Sequence, residues 1–283
     1  MATPRQLYTE IDRQLDQLIA DITAETDGIL EEMEEQVLNK VAKFYREYSD
    51  ADGMLKSQNM RVYDREDKLN KELAAIIIAG WATSRKKIYA GLTATYRTGF
   101  NDTQVGIEGL TGKAMRGTAK ADRIRELIQD RLSGVPLSDR IHRNRQETIF
   151  QIRQVLGQGI SRPDGINYRD MAISLSERLK ITKGQAERIV ETETHRIIEA
   201  AKFDAVEHAE RQGVKHKKYW LSMRDEKVRN NHRRLDQIYS TETAIPIYEP
   251  FVLPGVGEAM RPGEFGIANE DIRCRCAAVY VPQ

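Results

Sequence analysis

Lys217-Lys218-Tyr219-Trp220-Leu221-Ser222-Met223 is the stretch at which the pattern of this chain changes. Upstream, apolar residues recur every three or four positions; here they alternate. Tyr219, Leu221 and Met223 fall on one side and Trp220 on the other, as in a short strand. The end of the chain, Cys274-Arg275-Cys276-Ala277-Ala278-Val279-Tyr280-Val281, alternates in the same way and would put both thiols on one face. Between the two, Arg224-Asp225-Glu226 leads into a short helix from Lys227 to Ile238. Ile245-Pro246-Ile247-Tyr248-Glu249-Pro250-Phe251 and Pro254-Gly255 read as short extended pieces joined by turns. Residues 214–283 therefore form a compact α+β module with a Cys-x-Cys strand.

Working outward, the rest is helical. Leu7, Ile11, Leu15, Leu18, Ile22, Ile29, Met33, Val37, Val41, Phe44 and Tyr48 make one stripe of a long amphipathic helix. Ser49-Asp50-Ala51-Asp52-Gly53 is a turn, and a second helix runs from about Arg65 to Tyr96 around the apolar Ala74–Trp81 segment. Residues 1–98 are thus a long helical hairpin, with coiled-coil self-association through these helices as the alternative. Five glycines and three threonines make 99–119 a mobile connection; Gly109-Leu110-Thr111-Gly112-Lys113 lacks the spacing of a phosphate-binding loop. Short helices follow over 120–213. Asn167 caps one helix over Tyr168–Leu179, and Thr182-Lys183-Gly184-Gln185 has the form of a capping box opening another that stops at Gly213. The expected fold class is mainly α with a small α+β C-terminal module.

Composition narrows the function. The chain has 283 residues, 31% charged and 40% hydrophobic, with a net charge of +1. Near-neutrality argues against a dedicated nucleic-acid binder. No apolar run approaches a membrane span, and no signal-peptide core follows Met1-Ala2-Thr3-Pro4-Arg5. Two cysteines one residue apart cannot build a disulfide framework, which points to a reducing cytoplasm.

Two residue sets could carry chemistry. His232 and Asp236 leave one helix face at i,i+4, and Cys274 and Cys276 leave one strand face, so the four could hold a structural zinc tetrahedrally. The bland alternative has His232 and Asp236 hydrogen-bonded in a polar core and the thiols simply buried. Arg140, Arg143 and Arg145, with Lys217 and Lys218, are candidate contacts to DNA, although such clusters are more often solvated faces. Glu191, Glu193 and His195 could serve acid/base work, though solvated helix charges are commoner.

The order Thr192-Glu193-Thr194, Lys218-Tyr219-Trp220, Asp225 to Arg229, His232 to Asp236, Met260-Arg261-Pro262-Gly263-Glu264 and Arg273-Cys274-Arg275-Cys276 resembles the phage head morphogenesis (minor head protein) family of Mu F and SPP1 type. The resemblance covers roughly residues 120–283, most strongly the last hundred. Trp220, Asp225, Arg229, Pro262 and Gly263 are its structural landmarks. Arg273, Glu264 and Gln237 stand where the family usually has Asn, Asp and Gly. The resemblance implies a minor structural protein of a tailed-phage head, assembled in the host cytoplasm and acting by binding in procapsid assembly, DNA packaging or delivery. Its partners would be the portal, major capsid or scaffold protein, with non-specific contact to double-stranded DNA in the head interior as a further reading. No enzymatic activity is implied. The runner-up from the residues is a metal-dependent hydrolase or nuclease using His232, Asp236, Cys274 and Cys276, with Glu193 or Asp225 as base.

Overall fold

A computed structural model describes residues 3–60 and 64–283; Met1 and Ala2 of the N-terminal Met1-Ala2-Thr3-Pro4-Arg5 stretch lie outside them. The helices in chain order are α1 (Pro4–Tyr48), α2 (Ser57–Met60), α3 (Arg65–Thr111), α4 (Ala121–Gln129), α5 (Leu137–Ile160), α6 (Tyr168–Arg211), α7 (Asn230–Ile238) and α8 (Ala268–Asp271). The strands are short: β1 (Met54–Leu55), β2 (Arg131–Leu132), β3 (Val135–Pro136), β4 (Ile166–Asn167), β5 (His216–Leu221), β6 (Ile245–Pro246), β7 (Phe251–Leu253), β8 (Gly257–Ala259) and β9 (Ala277–Pro282). The protein is mainly α with a small α+β module, as its patterning indicates. No helix among the described residues is long and apolar enough to cross a membrane.

The chain forms two compact units, each assembled from separated segments. The first comprises Thr23–Ile88 and Ser138–Glu187. Its core holds Met33, Val37, Val41, Leu73, Ile77, Trp81, Ile152, Met171 and Leu175, all buried. Here α1 and α3 pack closely because Gly80 leaves room for Met33: a Cβ on Gly80 would lie 2.8 Å from the Met33 sulfur. The apolar stripe of α1 is therefore covered within the chain. A two-residue ribbon of β1 and β4 is antiparallel, and the Tyr45 hydroxyl donates to Ile166 O at 3.0 Å beside it.

The second unit comprises Met1–Ile22, Tyr89–Leu137 and Arg188–Gln283. Its sheet has the order β6-β5-β9, with β5 central and antiparallel to both neighbours. Around it pack Tyr8, Ile11 and Leu15 of α1, Ile198, Val206 and Ala209 of α6, and Leu235 of α7. The strand holding Trp220 is buried on both faces, so alternation there reports pleat rather than exposure.

Two local expectations are overturned. Residues 99–111 are not a mobile connection but the last turns of α3. Their glycines are packing holes: a Cβ on Gly99 would lie 2.6 Å from Ile198 Cδ1, and one on Gly106 would overlap Leu7. Only at Gly112, with φ of 68°, does the helix stop. The following residues are tied back, Gly117 N–H donating to Gln104 Oε1 at 2.8 Å. Nor does Thr182 cap a new helix, because α6 runs unbroken from Tyr168. Its hydroxyl is spent on Arg178 O at 3.4 Å and pairs with the Thr148 hydroxyl at 3.1 Å. The cap at Asn167 does form, its Oδ1 accepting from Asp170 N–H at 2.9 Å.

Candidate metal centre

After β8 the chain turns at Gly263 (φ 79°), where a Cβ would lie 3.7 Å from Arg196 of α6. Pro262 and Gly263 are both buried, and the turn sets the path toward α8. Asp271, at the end of α8, accepts from Phe265 N–H at 2.9 Å and Ile267 N–H at 3.1 Å, closing that loop. Arg273 then takes a left-handed φ of 54°, and its N–H donates to Thr192 Oγ1 at 3.2 Å. That kink swings Cys274 and Cys276 inward before β9 begins at Ala277, so the cysteines precede the strand instead of lying in it.

Both thiols converge on one ring nitrogen. His232 of α7 places Nδ1 3.3 Å from Cys276 Sγ and 3.7 Å from Cys274 Sγ, and all three residues are buried. Their candidate ligand atoms lie within 4.8 Å of one another. On the far side of the ring, Nε2 stands 3.1 Å from Glu270 Oε2, close enough to pair although not aligned as a hydrogen bond. Asn231 Nδ2 donates to the other oxygen of Glu270 at 2.7 Å and holds that carboxylate in place. The Trp220 indole lies edge-on to the imidazole, centroids 5.5 Å apart, and also meets Phe251 at 5.2 Å. Cys274 is held well below an ordinary thiol by its hydrogen bond from Cys276 and by His232, against the effect of burial. Cys276 is pushed well above by that same hydrogen bond and by burial.

Asp236 is not part of this group. Its carboxylate accepts from Ser222 Oγ at 2.8 Å and from Arg224 Nε at 2.9 Å, which commits both residues to bracing the end of β5 against α7. Glu270 occupies the acidic role that the i,i+4 spacing assigns to Asp236, but as a partner of the ring, not of the thiols. An acid four residues before the first cysteine was the available signal.

The other landmarks are structural. Asp225 and Arg275 form a two-pronged pair at 2.7 Å on each arm. Arg229 donates to Ile272 O. Glu193 and His195 are not solvated: Glu193 pairs with Arg196 at 2.8 Å, and His195 Nε2–H donates to Cys276 O at 2.7 Å. Glu191 stays at the surface against Arg273. Of the basic residues, Lys217 and Arg143 are exposed. Arg145 donates to His142 Nδ1 at 2.7 Å. Lys218 is fully buried, donating to Met260 O at 2.7 Å, so it cannot meet DNA. Arg140, Arg143 and Arg145 belong to the first unit and Lys217 to the second.

A cavity of about 710 Å³ in the second unit is lined by Asp12, Asp16, Glu191, His195, Arg229, Cys274 and Cys276, among others. Cys274 and Cys276 form part of its wall. The donor set, one imidazole nitrogen and two sulfurs, suits a borderline-soft metal ion.

No solved structure matches this chain. It is 26% identical over 279 residues to the minor head protein GP7 of Bacillus phage SPP1, covering 98% of this chain and 87% of that protein. It is also 26% identical over 160 residues to the NAD(+)–arginine ADP-ribosyltransferase EFV of Enterococcus faecalis, which takes in 56% of this chain but 31% of the enzyme. Residues 150–279, which hold all of α6, most of the sheet, His232, Glu270 and both cysteines, match the family described as Phage Mu protein F like protein.

Proposed function

We propose that this protein is a minor structural component of a tailed-phage head that works by binding during head assembly, packaging or DNA delivery, with the portal, capsid or scaffold as its partner. The observation that carries the reading is the end-to-end likeness to a minor head protein, 98% of this chain against 87% of the relative. A shared module alone would leave the N-terminal helices unmatched. The likeness to the ADP-ribosyltransferase is of the module kind, since it spans less than a third of that enzyme. The geometry agrees with a binding role. The second unit spends its rare polar residues on bracing: Asp225 on Arg275, Asp236 on Ser222 and Arg224, His195 on the backbone of Cys276. Glu193 and Asp225, the bases an enzyme would need, are both engaged in ion pairs.

The test is sedimentation of the purified chain with empty procapsids of its own phage. Co-sedimentation that saturates at a low ratio of chain to capsid is the expected result. A chain that stays in the supernatant with procapsids, and instead consumes NAD⁺ or cleaves DNA, would replace the structural reading with an enzymatic one.

A further inference from the structure

We infer that His232, Cys274 and Cys276 bind one zinc ion through Nδ1 and two thiolates, with Glu270 orienting the imidazole and a fourth position open to the cavity. The site stands apart from the role in the head, because it rests only on this chain's side chains.

Geometry is the first support. A tetrahedral zinc with bonds of about 2.3 Å to sulfur and about 2.1 Å to nitrogen sets each sulfur about 3.6 Å from the nitrogen. The observed separations of 3.3 and 3.7 Å bracket that value. The second support is hydrogen-bond capacity. A neutral imidazole nitrogen has either one N–H or one lone pair. It can therefore satisfy one thiol well, not two at once. A cation at the centre of the triangle engages all three atoms together. The third support is the carboxylate behind the ring. Metal-bound histidines commonly direct their other nitrogen at a carboxylate, which fixes ring orientation and raises ligand basicity. Glu270 is so placed, at 3.1 Å from Nε2, and is itself held by Asn231. Both Nε2 and Glu270 Oε2 are buried without an aligned hydrogen bond, so the pair has room to tighten when the ring is drawn toward a metal.

Three protein donors leave one tetrahedral position. With Asp236 committed to Ser222 and Arg224, no fourth donor among the described residues joins the cluster. Cys274 and Cys276 line the 710 Å³ cavity, so water or a small anion can occupy that position. The set is that of an open zinc site, not a closed one. Binding displaces the thiol protons to solvent, leaves the metal at its divalent state and requires no redox partner.

The experiment uses the full chain. Metal content by plasma mass spectrometry should be near one zinc per chain, and Co²⁺ exchanged into the site should show thiolate-to-cobalt charge-transfer absorption and tetrahedral d–d bands. Asp236→Asn should keep both signatures. Glu270→Gln should weaken zinc affinity by about 10- to 100-fold in a chelator competition. Azide added to the cobalt form should shift the d–d bands, since one position is exchangeable. A chain prepared with zinc in the medium and buffers that is folded by circular dichroism, yet holds no metal and gives no cobalt spectrum, would overturn the site. Loss of the signatures in Asp236→Asn would overturn the assigned ligand set. A cobalt spectrum indifferent to azide would overturn the open position. Because these readouts use the wild type and two conservative variants, a cysteine variant that fails to fold does not decide the outcome.

Discussion

Lys218 shows how far a residue can depart from its usual role. Its ammonium is fully buried, donates to Met260 O, and lies 4.7 Å from the centre of the Phe251 ring. An aromatic face favours the charged form, but burial outweighs it and pushes the pKa down to about 7. An unfolded lysine titrates near ~10.4. Between about 7 and about 10 the unfolded chain holds more protons than the folded one, so this residue makes stability rise with pH across that window. Below about 7 both states are charged and the full cost of burial is present. Urea unfolding at the two ends of the window should show the rise, and Lys218→Met should flatten it while gaining roughly 1 kcal/mol at pH 7. An equal slope in wild type and variant would contradict the assignment. In the sequence Lys218 looks like one of several surface cations. Nothing local distinguishes it from Lys217, which pairs with the same two strands; burial is decided by the face it lies on, where Phe203, Phe251 and Met260 surround its ammonium.

At the scale of elements, glycine is the most informative residue. Gly28 and Gly184 sit inside α1 and α6 with nothing within 4 Å of where a Cβ would stand, so each only weakens its helix. Gly28→Ala and Gly184→Ala should each stabilise by about 0.5–1 kcal/mol in thermal or urea unfolding. Gly91 is the opposite case, since a Cβ would lie 2.5 Å from Ile22 Cγ1. Gly91→Ala should cost about 1–3 kcal/mol, and Ile22→Ala in the same chain should recover part of it. Gly80, Gly91 and Gly106 are spaced by 11 and 15 residues, three and four turns at a little over 3.6 residues per turn, and face Met33, Ile22 and Leu7 in order. The helices themselves were legible from their apolar period. Their lengths were not, because a glycine that admits a neighbouring helix looks in sequence like a glycine that ends one. Likewise Thr182 and Gln185 resemble a cap, but the tertiary bond to Thr148 keeps that hydroxyl within the helix. For the candidate metal centre, the grouping of His232 with the two cysteines is legible from rare residue types at suggestive spacing. Glu270 is not, since its placement depends on the left-handed turn at Arg273 and the path of α8.

At the scale of the molecule, the beginning and the end of the chain share one core. Tyr8 and Tyr280 lie with ring centroids 5.7 Å apart. Lys202 joins Asp12 of α1 at 2.9 Å and Glu199 at 2.5 Å, while Glu199 also accepts from Ala278 N–H of β9 at 3.0 Å. Lys202 and Glu199 are fully buried, with Asp12 half-buried beside them, so removing Lys202 leaves the Glu199 charge stranded. Lys202→Met should cost about 3–5 kcal/mol in urea unfolding. For the same reason residues 214–283, which read as a module in the sequence, should not fold when expressed alone: the fragment lacks the α1 and α6 surfaces that cover β9. A cooperative unfolding transition from that fragment would contradict this. The central claim is that so braced a unit serves in a minor component of a phage head. The most direct measurement is quantitative mass spectrometry of gradient-purified heads from a phage encoding this chain, beside heads from a phage with that gene interrupted. The chain is expected in the wild-type heads at a few copies each, with altered assembly, packaging or delivery when it is missing. Heads that never contain the chain, and that form, fill and deliver equally well without it, would contradict the claim.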